Sequence, residues 1–261
     1  MAMPRFAANL SMMFAEVPFL QRFAAARAAG FRGVEYLFPY EYPTGDLKRA
    51  LDDAGLQQVL FNAPPGGDFA SGARGLAAMP GCETDFRTSI DMALEYAAVL
   101  GVRQIHVMAG IMPGEADPLE WRAAYVANLR HAAAQARRHG VAVLIEPINP
   151  HDMPGYFLTT VEQAVSVITD TGSDNLFLQY DLYHQSRHGG ELTGTFLRHQ
   201  GLIRHVQVAG NPGRHEPDSG EIDYGFVFAA LDRAGYKGWI GCEYRPAGRT
   251  EDGLGWLAPW L

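Results

Sequence analysis

Four oxygen-bearing side chains each end a short apolar run in the second half of the chain. They are Glu146 after VAVLI, Asp181 after NLFLQY, Gln207 after LIRHV and Glu243 after GWIGC. The intervals between them are 35, 26 and 36 residues, about the length of one strand and one helix. If the apolar runs are consecutive parallel strands, all four side chains lie at the carboxyl end of one sheet. Three carboxylates and an amide gathered there suit a hard divalent cation and proton-transfer chemistry.

The rest of the chain supplies elements that can position these side chains. Apolar runs of strand length alternate with Ala- and Leu-rich helical patterns, which predicts right-handed βαβ units and a parallel sheet. The strands are predicted near residues 5–9, 32–37, 56–61, 103–108, 141–146, 175–181, 202–208 and 238–243. The helices are predicted near residues 18–30, 45–55, 85–101, 117–139, 159–171, 191–200 and 225–235, with a last one after residue 250. Eight units in 261 residues predict an α/β fold, a (β/α)8 TIM barrel forming a single domain over residues 1–261.

Polar residues also end the four predicted strands of the first half. Asn9, Glu35, Asn62 and His106 each follow apolar residues. Any one of them alone is as often a solvated or core-satisfied residue as a site residue. A barrel that served only as a scaffold would not need eight polar groups at one mouth. We therefore expect Glu35, Asn62 and His106 to contribute to substrate binding.

The connection from Asn62 to about Asp85 differs from the others. It reads NAPPGGDFASGARGLAAMPGCETD, is dense in Gly and Pro, and has no helical period. Loops longer than about 12–15 residues without secondary structure are usually functional lids or disordered inserts. Because this one follows a strand end, we predict a lid over residues 62–85, with Phe69 and Arg74 as candidate substrate contacts. For each residue in it, simple packing at the surface is an equal alternative.

Composition limits the classes of partner. The formal net charge of −8 disfavours nucleic acid and anionic membranes, and the apolar runs fall short of the roughly 20 residues of a membrane span. The segment MAMPRFAANL lacks the pattern of a secretory signal. We expect the two cysteines, Cys82 and Cys242, to be free thiols in a reducing cytoplasm, although one disulfide between them stays open.

Long stretches of the chain together resemble the hydroxypyruvate isomerase family, among the xylose isomerase-like sugar isomerases and epimerases. The stretches are RFAANLSMMF, GFRGVEYLFPYEY, EPINPHDMPGYFL, LQYDLYHQ, HVQVAGNPGRHEPDSGEIDY and GYKGWIGCEYRP. The resemblance implies a (β/α)8 barrel in which Glu146 and Glu243 are proton donor and acceptor. It also implies that Glu146, Asp181, Gln207 and Glu243 are metal ligands. Related ketose epimerases usually carry His where this chain has Gln207, and this change favours Mg²⁺ or Mn²⁺ over softer metals.

The predicted reaction is the interconversion of hydroxypyruvate and tartronate semialdehyde by a 1,2-proton shift through an enediolate. Two carboxyls can act as acid and base, and a cation can stabilise the enediolate. His184, three residues after Asp181, could polarise a substrate oxygen or relay a proton. Arg214 and His215 are the candidates that hold the substrate carboxylate, with Arg245 as a second candidate.

Four other functions are alternatives to this isomerase. A 2-oxo-tetronate isomerase would use the same chemistry on a four-carbon acid, while a ketose 3-epimerase is disfavoured by Gln207. A barrel-fold abasic-site endonuclease would need several His ligands and a basic face, which this acidic chain does not offer. A non-catalytic carbohydrate-binding barrel has no use for two opposed carboxylates. The expected partner is a small hydroxy-oxo acid, and a homo-oligomer is compatible with the sequence.

Overall fold

The structure is a computed structural model and describes residues 4–260. Eight strands alternate with helices along these residues. The strands are β1 Arg5–Asn9, β2 Gly33–Glu35, β3 Gln57–Leu60, β4 Gln104–His106, β5 Ala142–Ile145, β6 Leu176–Asp181, β7 Ile203–Val208 and β8 Trp239–Cys242. The α-helices are α1 Arg22–Ala28, α2 Thr44–Ala54, α3 Glu83–Leu100, α4 Pro118–Arg138, α5 Val161–Thr171, α6 Leu182–His188, α7 Leu192–His199 and α8 Tyr224–Arg233. Two 3₁₀ helices cover Phe19–Gln21 and Glu251–Trp260.

The strands form one sheet in the order β3-β2-β1-β8-β7-β6-β5-β4. The described pairings are parallel, for example Asn9 beside Glu35 and Val206 beside Ile240. At the two ends of this order, the residues that follow β3 and β4 also meet, because Asn62 forms a parallel bridge with His106. This is the strand order of a (β/α)8 barrel, and the predicted fold class is confirmed.

The chain divides into two compact units. The first unit contains the residues up to Val59 and those from Tyr180 onward, and the second unit runs from Leu60 to Gln179. The boundaries fall inside β3 and β6, so each of these strands contributes residues to both units. Each unit therefore carries its own set of strand ends.

Local sequence explains where several helices begin and end. The Thr160 hydroxyl accepts a hydrogen bond from the Gln163 amide at the start of α5, and Asp117 caps α4 directly before Pro118. Helices α2, α3 and α5 each end at a glycine with left-handed backbone angles, which glycine adopts without strain: Gly55, Gly101 and Gly172.

Every strand lies within its predicted window, but helix α6 was not predicted. It has seven residues and follows Asp181 without a loop, because the Asp181 carboxylate accepts a hydrogen bond from the Tyr183 amide and so caps it. The last predicted helix is present as the 3₁₀ helix Glu251–Trp260. No helix among residues 4–260 is long and apolar enough to cross a bilayer. Both cysteines are free.

The connection between β3 and α3 is held at its second half. α3 begins at Glu83, slightly earlier than predicted. Gly75 forms an antiparallel bridge with Ala109, and the Ala78 amide donates to the Ala109 carbonyl at 2.8 Å. The turn before it is held by its own side chains, since Asp68 accepts hydrogen bonds from the backbone of Ala70 and Ser71. The tip, residues 66–73, therefore projects from an anchored base.

Candidate active site

In the second unit, four polar side chains form a buried chain of contacts. His106 Nδ1 lies 3.2 Å from Asn62 Oδ1, and its Nε2 lies 3.8 Å from Glu146 Oε2. Gln179 donates from Nε2 to the same Glu146 oxygen at 3.0 Å. Nδ1 of His106 faces the Asn62 amide oxygen, which can only accept a hydrogen bond, and Nε2 faces the Glu146 carboxylate. Asn62 and Gln179 thus fix the orientation of His106 and Glu146.

In the first unit, the Glu35 carboxylate is the centre of a second buried network. It accepts hydrogen bonds from His205 Nε2 at 2.7 Å, Gln207 Nε2 at 2.8 Å and Asn9 Nδ2 at 3.1 Å. Gly241 in β8 makes room for it, because a side-chain Cβ at that position would overlap the Glu35 carboxylate oxygens. Both oxygens of Glu35 are engaged by protein donors. The amide nitrogen of Gln207 points to Glu35, so its carbonyl oxygen is the atom that would serve as a ligand.

The first unit also brings Asp181, Arg214 and Glu243 together. Nη2 of Arg214 lies 3.4 Å from Asp181 Oδ2 and 3.4 Å from Glu243 Oε1. His184 Nε2 lies 3.6 Å from the same Asp181 oxygen. The guanidinium is also 4.9 Å from the centre of the Tyr183 ring. One cation therefore stands between two buried carboxylates, beside an imidazole.

Burial changes the protonation of these carboxyls. It raises the pKa of Glu243 to about 8, while the Arg214 guanidinium opposes the rise and the Asp181 carboxylate adds to it. Burial also raises the pKa of Asp181, again opposed by Arg214. A carboxyl with a pKa near the working pH can exchange a proton with a substrate in either direction.

The loop after β7 positions Arg214. Arg214 has a left-handed φ of 54°, which is uncommon for a residue other than glycine. The loop is fixed on both sides, because the Arg214 amide donates to the Gly210 carbonyl at 2.7 Å and the Arg245 amide donates to the Arg214 carbonyl at 2.9 Å. His215 is exposed, and its Nδ1 donates to the Arg245 carbonyl at 2.8 Å. Arg214 thus joins the carboxylates, whereas His215 bonds to the backbone of the loop.

The sequence reasoning missed several residues of these networks. Gln179 and His205 each lie two positions before a strand-end residue, and residues two apart point to the same face of a strand. A search for polar residues at that position would have found both. Tyr183, which lies under Arg214, gave no signal because α6 was not predicted. Arg74 bonds within its own loop: it lies 4.0 Å from the Phe69 ring centre and donates to the Phe69 carbonyl.

The side chains include donors that suit a divalent cation. Among residues 4–260, Glu146, Asp181 and His184 are candidate ligands that can each offer one atom. Two of them were predicted as metal ligands, and His184 was predicted as a catalytic residue. Carboxylate oxygens and an imidazole nitrogen are donors that Mn²⁺ and Mg²⁺ accept. The donor set therefore fits a divalent cation.

Comparisons with known proteins find full-length relatives. A family model described as a xylose isomerase-like TIM barrel matches residues 23–260. A 2-oxo-tetronate isomerase from Cupriavidus necator is 54% identical, with 99% of each chain covered. A hydroxypyruvate isomerase from Escherichia coli is 45% identical, with 99% of this chain and 100% of that one covered. A crystal structure described as AP endonuclease, family 2, from Brucella melitensis is 48% identical, with 99% of each chain covered and a TM-score of 0.97.

Proposed function

The chain belongs to the xylose isomerase-like TIM barrel family, and from this premise we propose that it is an isomerase that interconverts hydroxypyruvate and tartronate semialdehyde. The observation that carries the proposal is the pairing of Glu243 with Arg214. Glu243 is a buried carboxyl whose pKa is raised to about 8, and Arg214 is a guanidinium that can bind a substrate carboxylate. The relatives named hydroxypyruvate isomerase and 2-oxo-tetronate isomerase support the same reaction class.

The reaction moves one carbon-bound proton and one oxygen-bound proton. A base removes a proton from C3 of hydroxypyruvate, and the electrons of that bond form the enediolate. A proton is then delivered to C2, and the proton of the C3 hydroxyl passes to the C2 oxygen, which leaves an aldehyde at C3. We assign the carbon-bound protons to the pair Glu146 and Glu243, one as acceptor and the other as donor, and the transfer between oxygens to His184. Arg214 holds the substrate carboxylate, and Glu35, Asn62, His106 and His215 remain proposed as substrate-binding residues.

A divalent cation fits this assignment. The residues that would hold it are Glu146, Asp181, Gln207 and Glu243, with His184 as a further candidate. When bound, Mg²⁺ or Mn²⁺ supplies positive charge that stabilises the enediolate oxygens. Burial raises the pKa of Glu243, and additional positive charge beside it would favour its ionised form.

The test is a direct assay on two acids. Purified protein with added Mn²⁺ or Mg²⁺ is incubated with hydroxypyruvate in D₂O, and NMR follows the appearance of tartronate semialdehyde with deuterium at C2. We expect the aldehyde to form and its C2 proton to be exchanged at least in part. If neither hydroxypyruvate nor the four-carbon acid is converted with either cation, the protein is not this isomerase.

Isomerisation of 2-oxo-tetronate is the second candidate. It is favoured by relatives of that name that are 54% and 48% identical. The two acids differ by one hydroxymethylene unit, so the same acid and base can act on both. Comparing kcat/KM on the two acids decides between them.

Abasic-site cleavage is a weaker candidate, raised by the name of the Brucella structure. The candidate ligands here include one His beside carboxylates, and the net charge is −8. A DNA backbone is bound mainly through Lys and Arg, and an acidic protein repels it. Incubation with a duplex containing an abasic site tests this candidate, and we expect no cleavage.

We also propose that the tip of the loop, residues 66–73, closes over bound substrate. Its base is hydrogen-bonded to the residues after β4, so the tip alone would move. Hydrogen exchange in the tip should slow when a hydroxamate analogue of the substrate is added, while exchange at residues 75–79 should change little. Unchanged exchange in the tip would show that it is not a lid.

The remaining proposals concern the compartment, the partner and the oligomeric state of the enzyme. Two free thiols are typical of a protein in a reducing cytoplasm. The partner is a small hydroxy-oxo acid rather than a nucleic acid or a membrane. Assembly into a homo-oligomer stays a prediction, which sedimentation of the purified protein would test.

A further inference from the structure

Arg214 occupies the position of a counter-ion. Its Nη2 is equidistant from Asp181 Oδ2 and Glu243 Oε1, at 3.4 Å from each. The side chain of Arg214 is 17% exposed, whereas those of Asp181 and Glu243 are 0% and 8% exposed. Two buried carboxylates in such proximity need positive charge when they ionise. Arg214 supplies one positive charge to the two of them.

The same two carboxylates are proposed ligands of the divalent cation. A cation that binds their oxygens directly delivers two positive charges, and it requires the oxygens that now face Nη2. The guanidinium and the cation therefore compete for Asp181 and Glu243. We propose that Arg214 is a placeholder for the cation: its guanidinium pairs with Asp181 and Glu243 when no cation is bound, and cation binding releases the guanidinium to the substrate carboxylate. This inference rests on the proposed function, which assigns both the cation and the role of Arg214 in substrate binding.

The surroundings of Arg214 allow its side chain to move while its backbone stays in place. The two contacts of 3.4 Å are longer than the roughly 2.7–2.9 Å of strong charge-assisted hydrogen bonds. The Tyr183 ring, 4.9 Å from the guanidinium carbon, offers a face that binds a cation as well. The backbone is anchored through the Gly210 carbonyl and the Arg245 amide. The guanidinium can therefore exchange partners without a rearrangement of the loop.

The exchange predicts an order of binding. Before the cation binds, Arg214 is committed to two protein carboxylates, and a substrate carboxylate must compete with them. After the cation binds, the Arg214 guanidinium no longer pairs with the two protein carboxylates, and it can bind the substrate carboxylate. Because coupling between two ligands is reciprocal, substrate or an analogue should tighten the binding of the cation by the same factor.

The experiment measures Mn²⁺ affinity without turnover. Full-length metal-free protein is titrated with Mn²⁺, and the free ion is followed by electron paramagnetic resonance. The variants are Arg214→Met, Arg214→Lys and the control Arg245→Met. The control removes the charge of Arg245, an exposed residue whose guanidinium also acts on Glu243. We expect Arg214→Met to bind Mn²⁺ at least about tenfold more tightly than wild type, within the usual range of coupling between sites. Arg245→Met should change the affinity by no more than about twofold, since exposed charges are screened. Arg214→Lys keeps the positive charge but replaces the planar guanidinium with a single ammonium group. The Mn²⁺ affinity of this variant should lie between those of wild type and Arg214→Met.

A second measurement uses only the wild-type protein. Labelling of Arg214 by phenylglyoxal, followed by peptide mass spectrometry, should be faster when Mn²⁺ is present and slow again when a substrate analogue is added. The placeholder role of Arg214 is disproved if wild type binds Mn²⁺ and Arg214→Met binds it equally or more weakly. It is also disproved if Mn²⁺ does not change the rate at which Arg214 is labelled. In both cases the isomerase assignment stands. If no variant binds Mn²⁺, both the placeholder and the cation site are wrong. Absence of product in the NMR assay is a separate result, which would reject the proposed function itself.

Discussion

At the scale of single residues, the proposed function depends on carboxyls that are buried in different surroundings. Glu35 accepts hydrogen bonds from His205, Gln207 and Asn9. Glu146 accepts a hydrogen bond from Gln179, and Glu243 faces Arg214. A carboxylate saturated with donors is held in one position. A carboxyl such as Glu243, whose pKa is raised by burial and lowered by nearby guanidinium groups, can gain or lose a proton. These contacts support the proposal that Glu35 positions its neighbours and that Glu243 exchanges a proton.

Replacing either reactive glutamate by glutamine should remove catalysis without unfolding the protein. Glutamine keeps the shape of the side chain but cannot accept or donate the transferred proton. Glu146→Gln and Glu243→Gln should each lower kcat by about 10²–10⁴-fold, the usual contribution of a general acid or base. The exposed control Glu115→Gln should keep wild-type turnover. Retention of more than about a tenth of the turnover by either variant would exclude that residue as acid or base.

The stability of the metal-free protein should depend on the proton of Glu243. Burial raises the pKa of Glu243 from its ordinary value of 4.5 to about 8, so the folded protein binds a proton that the unfolded chain releases. This contribution is fully present below pH 4.5 and is lost as the pH rises through about 8. Glu243→Gln stays neutral throughout. In chelator, wild type should therefore lose stability relative to Glu243→Gln between pH 5 and 8, on the order of 1 kcal/mol per pH unit at most.

Urea unfolding of both proteins at several pH values measures this difference. The Glu115→Gln variant is the control, because it shows how much the loss of an exposed carboxylate changes the dependence of stability on pH. Parallel curves for wild type and Glu243→Gln would mean that the folded state does not raise the pKa of Glu243.

At the scale of elements, the packing of one strand against a side chain from another can be tested. Gly241 in β8 leaves the space that the Glu35 carboxylate fills. Gly241→Ala should push the carboxylate from His205 and Gln207 and destabilise the protein by about 1–3 kcal/mol, the usual cost of overpacking. Gly45 in α2 has no atom within 4 Å of a Cβ built there, and alanine should stabilise that helix by about 0.5–1 kcal/mol. Equal effects of the two substitutions on thermal unfolding would show that Glu35 has room to move.

The same scale shows what the sequence could predict. All eight strands were found from apolar runs, because a buried parallel strand needs apolar residues on both faces. Their polar ends, such as Glu146 and Glu243, were visible because polarity begins where the strand stops. The residues that bond to these strand ends could not be predicted. Gln179, for example, lies inside β6, and no short sequence pattern indicates a hydrogen bond from one strand to another. Helix α6 was missed for a similar reason: its start depends on one cap at Asp181 rather than on an apolar repeat.

At the scale of the whole molecule, the proposed ligands come from distant parts of the chain. Glu146, which contacts His106, follows β5, whereas Asp181, which contacts Arg214, ends β6. A cation held by Glu146 and Asp181, as proposed above, would add its binding free energy to the stability of the folded protein.

Mn²⁺ should therefore stabilise the folded protein and protect the strand ends that carry the proposed ligands. A ligand present at 100 times its Kd stabilises the folded state by about 2.7 kcal/mol, which for a chain of this size corresponds to a rise in Tm of about 5 °C. Thermal unfolding in chelator and in saturating Mn²⁺ measures the rise, and hydrogen exchange locates it. Peptides that contain the ends of β5 and of β6 should both exchange more slowly with Mn²⁺. Asp181→Asn should abolish the effect in both peptides, whereas Glu115→Gln should leave it intact. Protection of only one of these two strand ends would remove Glu146 or Asp181 from the ligand set.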